Sequence, residues 1–167
     1  MNALTLLAEL FIGIAGFSGI VVALSGSSVA SDPLDRFRVV SLLVIALGGA
    51  VFAAAPLVLA DAGVPPKLSW IIASGAYSVY LALNAAWLIR RRFTMPQAAL
   101  DSLHPVMWIL VLGGSSISAV ALLANAIGWP FSTAAAVYLY SLLYALLVSC
   151  IQFVRLLIVR PGTSPAA

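Results

Sequence analysis

Five long apolar runs constrain this chain more than any other feature of its sequence. They cover residues 3–25, 37–60, 68–89, 106–128 and 132–159, and each reaches the roughly 20 residues that a helix needs to cross a bilayer. Because the runs are continuous rather than alternating, they predict helices and not barrel strands. With 63% hydrophobic and 8% charged residues, the chain has more apolar surface than a water-soluble fold of this size could bury. The sequence therefore predicts an all-α membrane protein, a single five-transmembrane-helix bundle over residues 1–160 with a mobile tail at 161–167.

The basic residues are distributed unevenly between the two ends of these runs. With the N-terminus outside, Lys67 alone is external, and the cytoplasmic side receives Arg36, Arg38, Arg90, Arg91, Arg92, Arg155 and Arg160. The positive-inside rule thus predicts an external N-terminus and a cytoplasmic C-terminus. The net charge of +3 is then a topology signal, and no nucleic-acid partner is expected. Arg90, Arg91 and Arg92 are expected to contact lipid head groups; a specific site for an anionic lipid or an acidic partner is the alternative.

One face of the first helix carries an acid and small residues. Glu9, Gly13, Gly16, Ile20 and Ala23 recur at steps of four and three, so each lies within about 40° of Glu9 around a helix. Small residues allow close approach between helices in lipid, so this pattern predicts a helix-packing face. Glu9 is accordingly expected to point into the bundle or into a seam between subunits, and not at lipid. On the fourth helix, Gly114 and Ser118 begin a similar stripe.

The predicted topology also brings polar residues together at one depth. Asn125, Tyr138 and Ser141 fall in the outer leaflet with Glu9, and Tyr77 lies somewhat deeper. These five residues are the candidate site for an ion, a proton or a ligand, because an ionisable residue in a membrane span needs a compensating partner. A purely structural role, in which Glu9 hydrogen-bonds a Tyr, Ser or Asn side chain and sets helix register, is the alternative.

Residues for catalysis or cofactor binding are scarce. The single histidine, His104, lies in a predicted cytoplasmic loop, and a haem between helices usually needs ligands from facing helices. The single cysteine, Cys150, lies within the fifth run and excludes an intramolecular disulfide. We therefore expect no enzyme activity, no cofactor and no metal site.

Two stretches near the N-terminus resemble known sequences. AGFSGIVVAL at residues 15–24 and DPLDRFR at 32–38 are similar to the start of small bacterial polytopic membrane proteins that have no assigned activity. The resemblance implies a bacterial inner-membrane location. Two functions stay open: an oligomeric channel or transporter built around Glu9, and a non-catalytic accessory or scaffold subunit of a larger membrane complex. The expected partners are the lipid bilayer and either further copies of the chain or that complex.

Overall fold

A computed structural model describes residues 2–24, 33–94, 108–129 and 134–158, with the backbone alone at 33–35. Four α-helices in these ranges are continuous: α1 (Ala3–Leu24), α2 (Pro33–Asp61), α3 (Pro66–Thr94) and α5 (Ala134–Ile158). The other, α4 (Gly114–Ala126), continues a π-helical turn at Ile109–Gly113. The tail at 161–167 and a short interfacial helix expected at 97–104 lie outside the described residues.

The prediction of five apolar helices is confirmed. All five are long and apolar enough to cross a membrane, which suggests a multi-pass membrane protein. The boundaries differ most at the arginine run, because α3 continues through Arg90–Arg92 to Thr94. The run that predicted a span at 68–89 ends where the charges begin, but the backbone hydrogen bonds of a helix do not require apolar side chains.

Two helices end in the same way, at a glycine with a left-handed backbone. Gly63 follows α2 and Gly128 follows α4, and both have φ of 79°. After each glycine the chain turns back on the last turn of the helix: the Val64 N–H donates to the Leu59 carbonyl at 3.0 Å, and the Trp129 N–H donates to the Ala124 carbonyl at 3.0 Å. These are Schellman caps, in which glycine avoids the steric cost of positive φ.

The chain divides into two compact units, residues 1–51 with 145–167, and residues 52–144. In the first unit, α1 buries one face, made of Leu4, Leu7, Phe11, Ala15 and Ser18. The Phe11 ring is fully buried and fills the space beside Gly49 of α2, where a Cβ atom would overlap it. Glycine is thus required at position 49 by the close approach of this ring.

In the second unit, α3 packs along α4. The Ser78 hydroxyl crosses between them and donates to the Ala119 carbonyl at 2.7 Å. Near the start of α4, Tyr144 of α5 occupies the space that a side chain at Gly114 would take, and its hydroxyl donates to the Leu110 carbonyl in the π-helical turn. The predicted packing residue Gly114 therefore makes room for an aromatic ring.

Candidate functional site

A proline within α2 determines what its neighbours must supply. Pro56 has no N–H, so the carbonyl of Phe52, four residues earlier, lacks its usual helical donor. The Tyr138 hydroxyl of α5 donates to this carbonyl at 2.6 Å, and Tyr138 is fully buried. A side chain from another helix thus satisfies a backbone group that a bilayer could not satisfy.

Tyr138 belongs to an aromatic cluster formed by Phe52, Trp70, Tyr77, Tyr80 and Tyr138. The Tyr77 ring stacks on Phe52 with centroids 4.7 Å apart and lies 5.7 Å from Tyr138. Trp70 meets Tyr138 edge-on at 5.6 Å, and Tyr80 lies 5.1 Å from Phe52. Such ring geometries add about 0.5–1.5 kcal/mol per pair beyond apolar burial. The aromatic cluster therefore joins α2, α3 and α5 within the second unit.

One polar atom in the aromatic cluster is unsatisfied. Tyr77 is only 1% exposed, and its buried hydroxyl has no hydrogen-bond partner among the described residues. Burying a hydroxyl without a partner is unfavourable, and such groups call for a specific explanation. Either packing of the ring outweighs the free-energy cost of burying the hydroxyl, or the hydroxyl binds a polar ligand.

Replacing Tyr77 with Phe separates these alternatives. If packing alone holds the ring, Tyr77→Phe removes an uncompensated polar group, and the free energy of unfolding should stay constant or rise by about 1 kcal/mol. Titration with SDS in mild detergent, followed by circular dichroism, measures this change. A loss above about 1 kcal/mol would instead mean that the hydroxyl has a partner in the folded protein.

Asn125, another predicted site residue, joins three helices close to the aromatic cluster. Its Nδ2 donates to the Ser74 hydroxyl of α3 at 2.8 Å and to the Ala134 carbonyl at the start of α5 at 3.1 Å. Ser74 lies one turn before Tyr77, so the amide and the aromatic cluster share one side of α3. Both N–H donors of the amide hydrogen-bond to groups of this chain, so Asn125 makes a structural contact.

The remaining predicted site residues lie elsewhere. Ser141 is buried, and its hydroxyl donates to the Val137 carbonyl of its own helix at 2.9 Å. Glu9 belongs to the first unit and is exposed. The structure therefore brings Tyr77 and Tyr138 into contact, and it joins Asn125 to Ser74, which lies one turn before Tyr77 on α3. The Ser141 hydroxyl hydrogen-bonds within its own helix, α5. Glu9 is not a partner in these hydrogen bonds of Tyr138, Asn125 and Ser141.

The exposure of Glu9 corrects one of the two orientations expected for it. An orientation into the chain's own fold is wrong, and a seam between subunits stays a prediction. Ser18, nine residues after Glu9, is on the buried side, which is about 180° around the helix. Leu4, Leu7 and Phe11 fill most of the intramolecular contact, and Glu9 and Gly16 lie outside it.

The predicted packing residues on α1 lie, like Glu9, outside the buried face of the helix. Gly16 and Ala23 are exposed and Gly13 is half-buried, and a Cβ atom on Gly13 or Gly16 would meet nothing within 4 Å. On α4, Ser118 is half-buried. We call Glu9, Gly13, Gly16, Ile20 and Ala23 the Glu9 face.

The arginine run lies on the surface in the last turns of α3. Arg90, Arg91 and Arg92 are all exposed, and the Arg92 guanidinium lies 5.4 Å from the centre of the Trp108 ring. This distance is within the range of a cation–π interaction. Their contact with lipid head groups stays a prediction.

Metal ligands do not gather in the described parts of the chain. No three His, Cys, Asp or Glu side chains lie close enough there to hold a metal ion. His104 lies outside the described residues, as do Asp32 and Asp101.

Sequence reasoning missed three participants in the second unit: Phe52, Ser74 and Trp70. For Phe52 a signal was present, because a proline inside a transmembrane helix always leaves the carbonyl four residues earlier without its donor. The sequence does not indicate which side chain would satisfy it. No protein-family model, curated protein or solved structure matches the chain.

Proposed function

We propose that this protein resides in the bacterial inner membrane and assembles into a homo-oligomer through the Glu9 face, with a pathway for protons or cations at the seam. The observation that carries the proposal is an exposed carboxylate among open glycines on α1. The distribution of arginines supports the orientation, with the N-terminus outside and the C-terminus in the cytoplasm.

The glycines of α1 have open space beside them in the parts of the chain that the structure describes. A Cβ atom would be accommodated without contact at Gly13, Gly16 and Gly19. A glycine in the middle of a helix costs about 0.5–1 kcal/mol relative to alanine. Close approach of a second helix would offset that cost, since small residues are enriched where helices pack together in lipid. α1 also has the smallest buried share of the five spans, 17% against 39% for α3, and so has the most surface left for a partner.

The acid on this face limits what the partner can be. Glu9 lies six residues into α1, about 9 Å along its axis, where a carboxylate facing lipid is unfavourable. When identical copies meet at this face, several Glu9 carboxylates come together and repel one another unless a proton or cation lies between them. A self-associating Glu9 face therefore creates a site for a cation or a proton, which supports the channel or transport function.

An accessory subunit of a larger membrane complex is the second candidate. The same exposed carboxylate favours it, because a cationic side chain of a different protein would neutralise Glu9 directly. The two candidates differ in the effect of neutralising the acid. Glu9→Gln removes repulsion between identical copies, but it removes attraction to a cationic partner.

Two variants test the proposal. Gly16→Leu adds a bulky side chain where the chain has open space, so the fold should persist while the oligomer in mild detergent dissociates to monomers. Glu9→Gln should leave the oligomer intact and lower proton or cation flux into liposomes at least tenfold. Ala82→Leu, a matched enlargement at an exposed position on α3, should change neither property.

The contrary outcomes are distinct. A wild-type protein that is monomeric in mild detergent, or whose liposomes show no flux, would overturn the channel proposal. The accessory candidate instead predicts that a stoichiometric partner is recovered from native membranes and that Glu9→Gln weakens its binding.

A further inference from the structure

The first unit contains an arginine close to a polar contact on each of two helices, α2 and α5. The Ser41 hydroxyl of α2 lies 3.0 Å from the Arg38 carbonyl and 3.3 Å from Oε1 of Gln152 on α5. Arg38 precedes Ser41 by three residues, and Arg155 follows Gln152 by three, which is nearly one helical turn in each case. The polar contact between Ser41 and Gln152 therefore has an arginine one turn away on each helix.

The two arginines lie on the same side of that contact. Ser41 meets Gln152, whereas Phe52, later in α2, meets Tyr138, earlier in α5, so the two helices run antiparallel and both arginines lie toward the same end. The charge of Arg38 also acts on Arg155. Both side chains are half-buried. Arg38 lies five residues after the start of α2, and Arg155 lies three residues before the end of α5, which places the pair near the ends of two apolar spans.

Two like charges held together in a partly apolar setting repel each other, and an anion between them would reverse that repulsion. Guanidinium groups bind phosphate through two parallel N–H donors, and Arg is used where such planar recognition is required. The ends of membrane spans are also the depth at which phospholipid head groups lie. We propose that Arg38 and Arg155 form a binding site for a phosphate group, with the neutral polar side chains of Gln152 and Ser41 beside it.

This site is independent of the Glu9 face, and it differs from the arginine run at the end of α3. Arg90, Arg91 and Arg92 are exposed and consecutive, so they can act as a diffuse positive surface for anionic lipids. Arg38 and Arg155 come from two helices and are half-buried, which suits a single bound group. The phosphate could belong to a membrane phospholipid or to a soluble phosphate compound, and the two sources share the same chemistry at the site.

The test measures binding to the purified full-length protein in a detergent that lacks phosphate. The variants are Arg38→Gln, Arg155→Gln and their combination, with Lys67→Gln as the control that removes a positive charge at an exposed position outside both groups of arginines. The probes are phosphatidylglycerol, inorganic phosphate, and oleate as an anion without phosphate. Retention of phosphatidylglycerol by native mass spectrometry, and thermal protection by each probe, provide the readouts.

We expect the wild-type protein and the Lys67→Gln control to retain one tightly bound phosphatidylglycerol, and the double variant at positions 38 and 155 to lose it. Each single variant should raise the dissociation constant at least tenfold. Protection by phosphatidylglycerol alone assigns the site to lipid, and protection by inorganic phosphate assigns it to a soluble compound.

Three results would overturn the proposal: equal protection by oleate, equal loss of lipid in the control, or retention in the double variant. Since neutral variants could fold poorly, Arg38→Lys/Arg155→Lys supplies a second measure. Lysine keeps both charges but not the forked donors, so a folded Lys variant should bind phosphate at least tenfold more weakly. Wild-type affinity in that variant would also contradict the site.

Discussion

Replacing Tyr138 with Phe should lower the free energy of unfolding by about 1–3 kcal/mol, because it leaves the Phe52 carbonyl buried without a donor. The ring, its contact with Trp70 and its contact with Tyr77 all remain in the variant. The measured loss therefore reports on the hydroxyl. SDS titration of the purified protein in mild detergent, followed by circular dichroism, gives the change.

The matched control is Pro56→Ala, which restores the N–H that the Phe52 carbonyl lacks. In that background the hydroxyl is no longer the only donor, so Tyr138→Phe should cost less than about 1 kcal/mol, close to typical side-chain hydrogen bonds in membrane proteins. A double-mutant cycle compares the two costs. Equal costs in both backgrounds would show that the hydroxyl does not act through this carbonyl.

Replacing Gly49 with Ala should also destabilise the fold, by about 1–3 kcal/mol before the gain in helix propensity of about 0.5–1 kcal/mol is subtracted. The added Cβ atom would overlap the Phe11 ring, and that ring is fully buried. The same unfolding titration measures the change. The effect concerns packing alone, since Gly49 has an ordinary helical φ.

Two comparisons isolate this steric effect. Gly13→Ala adds the same methyl group where nothing lies within 4 Å, so the stability of the monomeric fold should rise by about 0.5–1 kcal/mol. Phe11→Leu removes the edge of the ring, so Gly49→Ala should cost less in that background than in the wild type. Additive effects of Phe11→Leu and Gly49→Ala would argue against a direct contact.

The positions of the helices could be predicted from the sequence, because the requirements for crossing a bilayer are local. A run of about 20 apolar residues is a property of one segment, and each predicted run corresponds to a helix in the structure. Pro56 likewise marked a missing backbone donor from its own chemistry. The caps at Gly63 and Gly128 depend on residues within one turn of the helix end.

The orientation of each helix about its axis could not be predicted in the same way. In water, the packed face of a helix is apolar and the other face is polar, so the pattern identifies the core. In lipid both faces are apolar, and this contrast is lost. The sequence grouped Glu9 with Gly13 and Gly16, but the packed face is that of Leu4, Leu7 and Phe11.

For this protein, the sequence by itself determined the five apolar helices of the described residues, their approximate ends and the residues that share a face on each, since these follow from span length and helical period. Only the tertiary structure decided which faces meet. It paired Tyr138 with the Phe52 carbonyl, Phe11 with Gly49, and Ser41 with Gln152, each from residues far apart in the chain. Such pairs depend on the shapes of whole helix surfaces, because in lipid packing and polar contacts, rather than a hydrophobic force, select the partner of each helix.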